Sequence, residues 1–129
     1  MKVACIQLST GESVRTNNNE TIHFVKKAIK NNSDLIITPE ATSLITDNKK
    51  EILNKIYTMS KDPLLEILKL LAKKNKKWIL IGSLFLKEKK KIRNRSIMIN
   101  PKGKIDTYYD KINMFDVKLN KKEKYQESK

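Results

Sequence analysis

The feature that most constrains this chain is a change of rhythm. Short apolar runs alternate with amphipathic stretches in the first half and follow one another almost directly in the second. Val3 to Leu8, Asp34 to Thr38 and Trp78 to Ile81 are too short for buried helices and read as strands. Between the first two, Ile22, Val25 and Ile29 recur at helical spacing, with Ala28 beside them, over Asn17 to Asn31. Asn17 with Glu20 three residues on has the form of a capping box, and Asn31-Asn32 stops the helix. Pro39 ends the second strand, because proline lacks the ladder's N–H donor and restricts the residue before it.

Two helices are expected before the third strand. One starts near Asn48, with Glu51 three residues later, and carries Ile52, Leu53 and Ile56. The other starts at Asp62-Pro63, an acidic cap followed by proline in the first turn, and runs to about Lys74. Its buried stripe reads as Leu64, Ile67, Leu68 and Leu71. Gly82 is expected to end the third strand. Leu84-Phe85-Leu86 and Ser96-Ile97-Met98-Ile99 then flank a basic tip, Lys87 to Arg93, and read as a hairpin with a long tip. Pro101-Lys102-Gly103 is a turn, and Ile105 to Tyr109 is a further strand. From Asp110 the pattern fades into a loop, and 118–129 reads as a basic polar tail or loop. The order gives an α/β fold with helices on one face of a sheet, in one domain, without internal repeats.

Composition narrows the function. The net charge of +14 raises the possibility of nucleic acid or an anionic membrane. However, 25 of the 28 basic residues are Lys, and only Arg15, Arg93 and Arg95 are Arg. Bidentate phosphate and guanine recognition favours Arg. Lys also comes here with abundant Ile and Asn, the residues of A/T-rich codons, so the charge reads as solvated surface. A nucleic-acid-binding domain is the weaker alternative; it would bind DNA or RNA with a steep salt slope. The single cysteine, Cys5, excludes an internal disulfide and a Cys-rich zinc site. It sits in an apolar run and reads as a small core residue rather than a nucleophile. The opening apolar run is too short for a signal peptide, and no spanning segment occurs, so a cytoplasmic protein without membrane contact is expected.

Three residues are candidates for chemistry. Glu40 follows the second strand directly, where α/β proteins place their sites, although taken alone it reads sooner as a loop acid or helix cap. Lys111 follows another strand end and opens a mixed apolar and polar segment of the kind that lines sites. Glu127 is, by composition, an ordinary tail acid.

Taken in order, the segments around these residues resemble the nitrilase, or carbon–nitrogen hydrolase, superfamily. Val3 to Leu8 is similar to its opening strand, and Asp34-Leu35-Ile36-Ile37-Thr38-Pro39-Glu40 to its strand-Pro-Glu motif. Ile81-Gly82-Ser83 resembles the strand end after its third helix. Asn94-Arg95-Ser96 with Pro101-Lys102-Gly103-Lys104-Ile105 resembles its hairpin and Pro-x-Gly turn. Tyr109-Asp110-Lys111-Ile112-Asn113-Met114-Phe115-Asp116 resembles its Tyr-x-Lys-x-x-Leu-Phe-Asp motif, with Met114 a departure from the usual Leu. Tyr125-Gln126-Glu127-Ser128 resembles the aromatic-x-Glu-Ser segment of a second glutamate. The resemblance covers essentially the whole chain.

The resemblance implies the N-terminal half of a four-layer α-β-β-α sandwich, with 1–129 a partial domain and 118–129 leading into the other half. It implies hydrolysis of an amide or nitrile, with Glu40 as general base, Lys111 stabilising the oxyanion and Glu127 orienting substrate or Lys. A small-molecule substrate is expected, with no cofactor, no metal and no nucleic acid, and a homo-oligomer for the full-length parent. The family's nucleophilic Cys lies on a strand beyond the second glutamate, so the 129-residue chain alone is expected to be inactive. The alternative is a non-catalytic remnant or a subunit that needs a complementary half.

Overall fold

The structure, a computed structural model, describes residues 1–112 and the backbones of 116–120 and 123–126. The order is β1 (Val3–Cys5), α1 (Val14–Lys30), β2 (Leu35–Ile37), α2 (Lys49–Lys55), α3 (Pro63–Asn75), β3 (Trp78–Glu88), β4 (Lys91–Ile99), β5 (Ile105–Asp110), β6 (Asp116–Asn120) and β7 (Glu123–Gln126). The first five strands form one sheet in chain order. β1, β2 and β3 run parallel, and β4 and β5 are added antiparallel. The α/β class read from the sequence is the class observed.

The core lies between one face of this sheet and the helices. Ile36, Ile79, Ile81, Ile97 and Ile99 point to the same side and pack with Val25 of α1 and Leu64, Leu65, Leu68 and Ala72 of α3. Alternation sends Val3, Cys5, Leu35, Ile37, Trp78, Leu80 and Met98 to the opposite face, where all are exposed or only half-buried. The expectation that Cys5 is a core residue is therefore wrong. It lies in the sheet's edge strand, on the face that the described residues leave open, and is exposed. A second apolar cluster, Ala41, Leu44, Ile52, Ile56 and Phe85, lies where the chain between β2 and α2 folds over the far end of β3.

Several element boundaries differ from the sequence reading, each for a visible reason. α1 starts at Val14, three residues before Asn17, because Ser13 is the cap: its hydroxyl accepts from the Thr16 N–H at 3.3 Å. Asn17 is instead buried and spans two loops. Its amide donates to the carbonyls of Gly11 and Ser43 and accepts from the Gly11 N–H. The caps of α2 and α3 are the expected Asn48 and Asp62. The stripe of α3 is rotated, with Leu65 and Ala72 buried while Ile67 is 38% exposed. Gly82 does not end β3. The strand passes it through a register shift between Ile81 and Leu84 and continues to Glu88. The hairpin tip is accordingly short: Glu88 pairs with Lys91, and Lys89 takes the left-handed φ of 56° that the tight turn requires. The segment read as a loop and tail contains a second, two-stranded sheet, β6 with β7, in which Val117 pairs with Tyr125. The alternation of Val117 and Leu119 with polar residues is the strand signal that the high lysine content obscured.

Candidate active site

Glu40 owes its position to β3 rather than to its own strand. After β2 the chain turns across β3 at the register shift, where Gly82 and Ser83 have no ladder partner on β4. The Gly82 N–H donates to the Thr38 carbonyl at 3.1 Å and the Ser83 N–H to the Pro39 carbonyl at 3.3 Å. The Thr42 N–H donates to the Ser83 carbonyl at 3.0 Å. The Ser83 hydroxyl, fully buried, accepts from the Ala41 N–H at 2.8 Å. The Thr42 hydroxyl donates to the Pro39 carbonyl at 2.6 Å and lies 2.8 Å from that of Thr38. Two bonds from the Ser83 peptide and one from its side chain thus hold the residues on both sides of Glu40. Ala41 has a φ of 50°, a left-handed conformation that an alanine keeps only where its surroundings enforce it. Only glycine fits at 82: a Cβ there would stand 2.4 Å from the Thr38 carbonyl oxygen and 2.5 Å from the Pro39 carbonyl carbon.

Lys111 comes from the end of β5, which runs parallel to β2, so both residues leave the sheet at the same edge. Its backbone N–H donates to the Asn94 carbonyl at 2.9 Å. The Lys111 ammonium hydrogen-bonds and ion-pairs with the Glu40 carboxylate across 71 residues of sequence. The Lys111 side chain is 24% exposed and that of Glu40 55%, so the pair sits at an open mouth. The structure thus brings two of the three sequence candidates together. The third, Glu127, lies outside the described residues. A groove of about 760 Å³ opens elsewhere, between α1, α2 and the start of α3. Its lining, which includes Arg15, Asn18, Tyr57 and Ile67, contains neither Glu40 nor Lys111.

A carboxylate and an ammonium so placed can accept a proton and stabilise a developing negative charge within one site. They form no metal centre: among the described residues no group of three or more His, Cys, Asp or Glu side chains converges. No described helix is long and apolar enough to cross a membrane.

The sequence model of the carbon-nitrogen hydrolase family matches residues 2–129. This chain belongs to the carbon-nitrogen hydrolase family. It is 28% identical over 120 residues to the deaminated glutathione amidase of Yersinia enterocolitica, covering 91% of this chain and 41% of that protein. It is 26% identical over 115 residues to the nitrilase and fragile histidine triad fusion protein NitFhit of Drosophila melanogaster, covering 89% of this chain and 25% of that one. The carbon-nitrogen hydrolase chain therefore spans between a quarter and about two-fifths of these relatives' length. Among solved structures, NitFhit of C. elegans superposes with a TM-score of 0.83 at 23% identity, over 98% of this chain and 31% of that one. An amidase from Nesterenkonia sp. superposes with a TM-score of 0.73 at 15% identity, over 89% and 44% respectively. At those identities the likeness is one of fold.

The sequence did not show which residues bond around the pair. Gly82 and Ser83 are legible as a strand end, but nothing in one dimension says that the end grips a loop 42 residues away. Arg95 and Asp110 sit inside recognisable segments as apparently ordinary surface charges, yet Arg95 is only 5% exposed. Its charge pattern carried no warning of that burial.

Proposed function

We propose that this chain carries the proton-transfer base and the oxyanion cation of an amide hydrolase, and that the thiol they serve lies outside the 129 residues. The observation that supports this reading is the Glu40–Lys111 pair at the shared edge of β2 and β5. A sulfur nucleophile attacking an amide carbon must lose its proton, and a free thiol with a pKa of about 8.5 needs a base to do so near neutrality. Glu40 would take that proton and return it to the departing ammonia. Lys111 would face the oxygen that becomes negative in the tetrahedral intermediate. Water would then cleave the thioester to a carboxylic acid. Glu127 would orient the substrate or the lysine. Amides are favoured over nitriles because the matched Yersinia and Nesterenkonia proteins are amidases by name.

Two measurements test this. The purified chain should release no ammonia from small amides; thiol-dependent turnover by this chain alone would refute the division of labour. A chimera in which residues 1–129 replace the matched segment of the Yersinia amidase should hydrolyse amides, and Glu40→Gln or Lys111→Met should each reduce its rate by at least about a hundredfold. A folded, active chimera indifferent to both substitutions would sink the assignment.

A further inference from the structure

We propose that Arg95 and Asp110 are a positioning pair that sets where Lys111 stands relative to Glu40. The proposal rests on the reading of that carboxylate and ammonium as working groups, and it adds residues on the opposite face of the sheet.

Arg95 and Asp110 face each other across β4 and β5. The guanidinium makes a two-pronged bond to the carboxylate, Nε to Oδ1 at 2.6 Å and Nη2 to Oδ2 at 2.9 Å. It makes two further contacts: Nη2 reaches Glu88 Oε1 at 3.2 Å and Nη1 reaches Met59 Sδ at 3.1 Å. Its plane lies over the Tyr108 ring, 4.2 Å from the centroid. Four groups from three segments therefore restrain the orientation of the guanidinium, and a bidentate partner fixes Asp110 in angle as well as distance. The charge state is locked in as well. The Arg95 contact holds the Asp110 carboxyl below its usual range, and the Asp110 contact holds the guanidinium above its own.

Asp110 is the residue directly before Lys111, and the two point to opposite faces. Just beyond it the Lys111 N–H bonds to the carbonyl of Asn94, the residue directly before Arg95. The last peptide of β5 is thus clamped by neighbouring residues of β4, once through a side chain and once through the backbone. With that peptide fixed, the lysine starts from a defined point and meets Glu40, whose neighbours in the chain are held by Gly82 and Ser83. Loss of the Arg95–Asp110 bond would loosen the end of β5, where it and the Asn94 bond act together on one peptide.

A stability measurement alone would not separate positioning from packing, so the readout is the titration of the Glu40 side-chain carboxyl carbon by NMR in the full 129-residue chain. Lys111→Met gives the midpoint without the ammonium. Arg95→Met and Asp110→Asn should each move the Glu40 midpoint in the same direction, toward the Lys111→Met value. Arg95→Lys should lie between Arg95→Met and the parent, because one prong can still form. Ile97→Val, a packing change on the same strand, should leave the midpoint at the parent value. Asp110→Asn keeps the side-chain shape and supplies the reading if Arg95→Met does not fold. If Lys111→Met shifts Glu40 while both Arg95→Met and Asp110→Asn leave it unmoved, the positioning role is overturned and the hydrolase reading stands. If Lys111→Met itself leaves Glu40 unmoved, the two groups do not meet in solution, and both proposals fall.

Discussion

A methyl group at position 82 would have to occupy space already taken by the backbone of Thr38 and Pro39. Gly82→Ala should therefore push the Thr38–Thr42 turn off β3 and cost about 1–3 kcal/mol, the range for overpacking a filled interior. Urea unfolding measures the cost, and the Glu40 resonances should shift together with it. Ser83→Ala acts at the same place by a different route. It creates no clash, but it leaves the Ala41 N–H without its acceptor in a buried setting. The expected loss is again about 1–3 kcal/mol, the penalty for a buried donor left unmade. A Ser83→Ala protein as stable as the parent in urea would mean that the hydroxyl is incidental and that the backbone bonds suffice.

Among the elements, the pairing of β4 with β5 carries an acid-sensitive term. Asp110 has a depressed pKa in the folded chain, mainly through its bonds to Arg95. Its contribution is thus fully present above the unfolded pKa of about 3.9 and is lost as pH falls through the lower folded value. Asp110→Asn should be less stable than the parent at neutral pH and should converge with it once the pH falls below the depressed folded value. Melts followed by circular dichroism across that window check this. Asp62 works with the opposite sign. Burial raises its carboxyl, so its contribution is full below the unfolded pKa and declines as pH climbs through the raised one. Existence and order of the elements were largely legible in the sequence, because periodicity and caps such as Asn48 and Asp62 are local signals. What was illegible depends on partners distant in sequence. Ser13 displaced Asn17 as the cap of α1 because Asn17 was needed to join two loops. β3 ran on past Gly82 because a loop fills the gap that the glycine leaves. Of the site, Glu40 and Lys111 were visible through motif resemblance, while the residues that hold them were not.

At the scale of the molecule, the described residues supply one helical layer, a five-stranded sheet and the β6–β7 pair, and the second face of the five-stranded sheet carries exposed and half-buried apolar residues. Val3 is 42% exposed and Trp78 38%. A contiguous apolar face of this kind seeks cover. The isolated chain should bind a hydrophobic dye and self-associate as its concentration rises. Trp78, the sole tryptophan, reports on this directly. Its emission should lie to the red and be readily quenched by acrylamide in dilute monomer, and move to the blue as the face is covered. A monomer that melts cooperatively, ignores the dye and keeps a concentration-independent Trp78 spectrum would contradict this.

The slip between Ile81 and Leu84 gives the chain an uneven tolerance of length changes. Within the slip, two residues of β3 serve as a socket for another part of the chain, so one inserted residue would rotate the socket away and carry the carboxylate with it. The hairpin tip at Lys89 and Lys90 bears no such duty: both residues are exposed and only join β3 to β4. Homologues and engineered variants should therefore vary in length at that tip and hold their length in the middle of a regular strand.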